Sequence, residues 1–161
     1  MPGPTHQPPQ TTPTIWIDGD GAPRAAKEVV FKASVRTRVQ VILVANSFSQ
    51  VPRATCIRAV KVGAGLDVAD DHIAEHCQPG DLVITSDIPL AARVIEAGGT
   101  VIRFRGEQLT EANVRQRLQA RDFMDELRGS GVMTGGPPPY GPKDKQRFAN
   151  ALDRWIAARA R

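Results

Sequence analysis

Cysteine is scarce in this chain of 161 residues. The two present, Cys56 and Cys77, lie 21 positions apart and form no Cys-x-x-Cys pair. That excludes a disulfide framework and predicts two reduced, partly buried thiols. Long apolar runs are missing too. None approaches the ~20 residues that cross a bilayer, and the first residues carry neither the basic stretch nor the apolar stretch of a secretory signal. The expected location is the cytoplasm. Two nucleotide fingerprints are incomplete. Gly63-Ala64-Gly65 follows a predicted strand, but no third glycine completes a dinucleotide loop, and Gly-Lys-Ser/Thr does not occur.

What the chain does have is ordinary globular material, with 41% hydrophobic and 24% charged residues. Its length suits one domain with one well-buried core. Residues 1–13 (MPGPTHQPPQTTP) are rich in Pro, Thr and Gln, with almost no charge. They are expected to be a disordered tail, leaving 14–161 as a single domain. The net charge is +4 and unevenly spread. Residues 1–99 hold 9 Lys/Arg against 10 Asp/Glu, and residues 100–161 hold 12 against 7. Such a surplus permits a polyanionic partner without requiring one.

Strand and helix patterns alternate through the body. Ile15–Ile17, Val39–Ala45, Arg58–Val62, Asp81–Ser86 and Thr100–Phe104 read as strands. Between them, Ala22–Val35, Asp67–Cys77 and Pro89–Ala97 read as helices, the last ended by Gly98-Gly99. The order predicts an α/β fold: a doubly wound, mostly parallel sheet with helices on both faces. Two C-terminal helices follow, Glu111–Arg128 and Lys143–Ala160. The second places Phe148, Leu152, Trp155 and Ile156 on one stripe and should pack against the domain. The Gly/Pro segment 129–142 between them is too long for a tight turn.

Chemistry concentrates in three acidic runs. Asp18-Gly19-Asp20 follows the first strand, Asp67, Asp70 and Asp71 share one helix face, and Asp87 follows the Asp81–Ser86 strand. In a parallel sheet the carboxyl ends of the strands lie along one edge, where ligands bind. Each run has a plainer explanation. Asp-Gly makes turns, Asp67 resembles a helix cap, and Asp87 is placed to cap the next helix. Carboxylates converging from distant segments nevertheless repel unless a cation lies between them, and oxygen donors favour hard cations such as Mg²⁺. His72-Ile73-Ala74-Glu75-His76 matches the H-x-x-E-H helix of some zinc peptidases. No Glu follows Glu126 to supply a third ligand, so a solvated helix face is expected there. Arg117, Arg121 and Arg128 fall near one face of their helix, and Arg103 and Arg105 leave the last strand, all available to phosphates.

The runs DGDGAP (18–23), GLDVADDHI (65–73), GDLVITSDIPLA (80–91), RDFMDELRGSGVMT (121–134) with Gly135-Gly136-Pro137, and FANALDRW (148–155) resemble the bacterial YaiI/YqxD family over roughly residues 14–157. The resemblance implies a PIN-like fold, whose members include Mg²⁺- or Mn²⁺-dependent ribonucleases. It carries the family's acids onto Asp18, Asp20, Asp67, Asp70 and Asp87. Where the family usually has Cys, this chain has Ala22, which removes any thiol role there.

The reading that follows is a metal-dependent phosphodiesterase acting on RNA. Asp18, Asp70 and Asp87 hold Mg²⁺ or Mn²⁺. Asp20 or Asp67 completes the shell through water. Thr85 and Ser86 donate to phosphate, and Arg105, Arg121 and the Gly135-Gly136 loop steer substrate. Two alternatives stand beside it. One is a non-catalytic RNA- or partner-binding module with a cation site. The other is a haloacid dehalogenase-type phosphatase with Asp18 as nucleophile and Asp20 as general acid. Against the latter, the residue two beyond the second acid is Ala22 rather than the usual Thr or Val, and the paired acids precede the Thr/Ser strand.

Overall fold

The structure is a computed structural model that describes residues 12–65, 67–129 and 138–159, with backbone alone for 121–129. Six strands make one sheet: β1 (Thr14–Asp18), β2 (Gln40–Ala45), β3 (Ile57–Lys61), β4 (Leu82–Ile84), β5 (Thr100–Ile102) and β6 (Gln108–Leu109). Their spatial order is β3-β2-β1-β4-β5-β6, parallel except for β6. β1 lies between β2 and β4, so the winding direction reverses at its end. That is the topological switch point of an open α/β sheet.

Alternation along the strands builds two cores. Ile15, Ile17, Val41, Leu43, Leu82, Ile84 and Ile102 face α1 (Arg24–Thr37) and α5 (Pro142–Arg159). Trp16, Ile42, Val44, Val83 and Val101 face the other way, towards α2 (Val68–His76), α3 (Ile88–Glu96) and α4 (Glu111–Gly129). Both faces are therefore covered, as near-continuous apolar strands require. The expected stripe on α5, Phe148, Leu152, Trp155 and Ile156, is buried throughout, and Ala151 is buried beside it. Cys56 and Cys77 are free and buried, and burial pushes the Cys77 thiol up to about 11.

Most boundaries shift by one or two residues from the sequence reading, and one difference changes the sheet. The last parallel strand ends at Ile102, and the chain then turns back to form the antiparallel β6. Two residues are too short a run for alternation to reveal. Gly106 makes that return possible, with a left-handed φ of 98°. A Cβ there would sit 2.7 Å from the Arg147 backbone, so only glycine lets α5 approach so closely. Of the 129–142 segment, residues 130–137 lie outside the described residues. At its end, Tyr140 donates its hydroxyl hydrogen to the Phe104 carbonyl at 2.7 Å. Among the described residues no helix is long and apolar enough to cross a membrane.

Candidate functional site

Asp18 is the last residue of β1, and the β4 strand beside it runs directly into Thr85. Thr85 is fully buried. Its hydroxyl donates to Asp18 Oδ2 at 2.8 Å and accepts the Asp87 backbone N–H at 3.0 Å. One side chain thus ties the ends of two neighbouring strands together across the switch point. The hydroxyl proton is spent inside the protein, so Thr85 holds the acids in place instead of facing substrate. Asp87 also caps α3, its Oδ1 accepting the Leu90 N–H at 2.9 Å. The plain capping explanation therefore holds for one of its oxygens.

Asp67 occupies the cap position of α2 but makes no side-chain capping bond, and its backbone is left-handed at φ 68°. Its carboxylate is exposed and not spent on its own helix. Asp70, in the first turn of α2, is within hydrogen-bonding reach of Asp87. Burial, the Asp87 charge and that hydrogen bond, then the charges of Asp18 and Asp67, push the Asp70 carboxyl up to about 7. Asp18 is pushed up to about 6 by burial, which the Thr85 bond opposes and the Asp87 and Asp20 charges reinforce. Asp20 is exposed in the turn after β1, and its Oδ2 accepts the Asn46 N–H at 2.9 Å. Asp71 turns away from the group and pairs with Arg93 at 2.7 Å.

The five acids Asp18, Asp20, Asp67, Asp70 and Asp87 thus influence one another along one sheet edge. Among the described residues no Lys or Arg forms an ion pair with any of them. Nor, among the described residues, do three His, Cys, Asp or Glu side chains form an arrangement that would itself hold a metal ion. The donor set is carboxylate oxygen, matching Mg²⁺ or Mn²⁺ in hardness. The fit rests on that chemistry and on the uncompensated charge, not on a preformed cage.

Beside the acids lies a cleft of about 520 Å³, lined by Gly21, Ser86, Arg103, Arg105, Glu107 and Tyr140 among others. Ser86 is exposed at its wall. Arg105 donates to Asp144 at 2.9 Å and to the Pro138 carbonyl, and its guanidinium lies over the Tyr140 ring at 5.8 Å. Arg103 pairs with Glu107 at 3.0 Å while its buried Nε has no partner, and Arg117 also bonds Glu107. The Arg121 side chain is not described, and Gly135 and Gly136 lie outside the described residues. Sequence reading passed over Asn46, Tyr140 and the 82%-exposed Phe48 that follows Asn46 on its loop. Only the last carried a signal, an aromatic residue between serines where a loop was expected.

The matching family carries the description "Uncharacterized BCR, YaiI/YqxD family" and covers residues 16–158. The chain belongs to the YaiI/YqxD family. A UPF0178 protein of Cronobacter sakazakii (strain ATCC BAA-894) is 52% identical over 147 residues, spanning 91% of this chain and 97% of the relative. No solved structure matches. All the YaiI/YqxD acids named above lie within the matched span.

Proposed function

We propose that this YaiI/YqxD protein is a PIN-like, Mg²⁺- or Mn²⁺-dependent hydrolase of phosphodiesters, with RNA as its substrate. The observation that carries the reading is a group of carboxylates in which burial, reinforced by neighbouring acids, pushes Asp18 and Asp70 upward, and with which no Lys or Arg among the described residues forms an ion pair. Charge gathered at a switch point without a counter-ion is a cation site in waiting. Asp18, Asp70 and Asp87 would hold the ion, with Asp20 and Asp67 at the rim.

A divalent cation bound there supplies acidification of a water molecule and neutralisation of phosphate oxygens. The chain's own residues do the rest. Thr85 fixes the spacing of Asp18 and Asp87. The cap bond to Leu90 holds the Asp87 carboxylate at the α3 terminus. The exposed Ser86 hydroxyl offers a donor to a phosphate in the adjoining cleft. Arg105 is engaged with Asp144, so its contribution is to shape the cleft wall with Tyr140.

A non-catalytic cation-binding module is the second reading, favoured by the lack of a three-ligand arrangement among the described residues. The phosphatase reading asks Asp20 to donate a proton beside Asp18, whereas Asp20 Oδ2 accepts from Asn46. Mn²⁺ should raise the melting temperature of the wild type but not of Asp18→Asn, and that variant should not cleave a single-stranded RNA that the wild type degrades. Cleavage equal to wild type would discard the hydrolase site. Mn²⁺ stabilisation without turnover would select the binding module, and a phospho-aspartate trapped on Asp18 would select the phosphatase.

A further inference from the structure

A second cavity lies at the opposite edge of the sheet from the acids. It has a volume of about 910 Å³ and is lined at the amino-terminal ends of the strands by Thr14, Trp16, Gln40 and Asp81, among others. Three arginines from separate elements also line it: Arg38 just after α1, Arg58 on β3 and Arg159 at the end of α5. Among the described residues none of the three has a carboxylate within ion-pair distance.

The acid in the wall does not neutralise them. Asp81 is 5% exposed, and its oxygens accept from the Thr14 N–H at 2.9 Å, the Trp16 indole N–H at 3.0 Å and the Gln78 N–H at 2.9 Å. Its charge is spent on bracing β1 and the turn before β4. Arg38 holds a left-handed backbone at φ 66°, a position where glycine is usual. Its side chain is therefore held against the backbone's own preference.

We propose that this cavity binds an organic phosphate through Arg38, Arg58 and Arg159. A guanidinium fork matches phosphate geometry, and three forks call for more negative charge than one carboxylate carries. The volume lies within the range of small-molecule sites and leaves room for more than the phosphates alone. A free nucleotide and the phosphorylated end of a nucleic acid strand share this chemistry. The site is independent of the acid edge.

The chain has two tryptophans, so a nitrogen-15 NMR spectrum carries two indole signals, and the Trp16 signal comes from the proton that points at Asp81 in the cavity wall. Three probes are titrated into the full chain: adenosine diphosphate, a 5′-phosphorylated oligonucleotide and its 5′-hydroxyl counterpart. Adenosine diphosphate or the phosphorylated strand should move the Trp16 signal while the 5′-hydroxyl strand does not. A response to the diphosphate assigns free nucleotides, and a response to the phosphorylated strand alone assigns strand ends. The double variant Arg38→Gln/Arg58→Gln should weaken binding at least about tenfold. Both positions are exposed, so its melting temperature should stay at the wild-type value, confirming an intact fold. No movement up to ~1 mM of either phosphorylated probe would overturn the assignment, as would equal binding by the double variant or by the 5′-hydroxyl strand.

Discussion

Asp18 and Asp70 are where the fold works against its own electrostatics. An unfolded aspartate titrates near 3.8, whereas these two are pushed to about 6 and about 7. The folded chain therefore holds their protons more tightly than the unfolded chain. Their contribution to stability is fully present below pH 3.8 and is lost as pH rises through 6 and then 7. His72 acts with the opposite sign in part of that window, because burial and then the His76 charge hold its imidazole below the ordinary 6.5. Comparing wild type with Asp18→Asn/Asp70→Asn cancels the His72 contribution. In chelator, the melting temperature of the wild type should fall relative to the double variant between pH 4 and pH 7.5. A constant difference across that range would mean that neither carboxyl is perturbed.

Elements show which parts of the site were legible beforehand. Val39–Ala45 was plain because the unbroken apolar run Val41–Ala45 demands burial on both faces, and β2 is found at Gln40–Ala45. Asp87 at the end of β4 was equally plain, since a strand followed by Asp and Pro marks a capped helix start. The Thr85 bonds were not legible, because they depend on β1 and β4 being neighbours, and separation along the chain says nothing of strand order. Asp67 misled in the opposite direction, resembling a cap yet making no capping bond. The double duty of Asp87 can be separated by substitution. Asp87→Ala removes both cap and charge and should cost about 1 kcal/mol in urea unfolding. Asp87→Asn keeps a capping oxygen and removes charge repulsion, so its metal-free stability should equal or exceed wild type. Both should lose Mn²⁺ stabilisation. If Asn is as destabilising as Ala, the cap is not what Asp87 contributes to α3.

At the scale of the whole molecule, the last helix closes one core and also shapes the cleft beside the acids. Phe148, Leu152, Trp155 and Ile156 pack against the strands, while Asp144 and Tyr140 at its start hold Arg105 and the Phe104 carbonyl. The amphipathic stripe announced the packing, but nothing in the residue pattern announced that α5 would reach the return before β6. That contact depends on Gly106, whose φ is 98° and where an added Cβ would sit 2.7 Å from the Arg147 backbone, leaving no room for a side chain. Gly106→Ala must strain the return, displace α5, or both, at a cost of about 2–4 kcal/mol. The acids lie on other segments, so a folded variant should still gain Mn²⁺ stabilisation, although the Arg105–Tyr140 wall is disturbed. Under the proposed function, cleavage of RNA by this variant should therefore fall through a raised KM while kcat changes little. A variant as stable as wild type would show that α5 yields at this contact, and a lost Mn²⁺ response would tie the acid edge to the last helix more tightly than the fold implies.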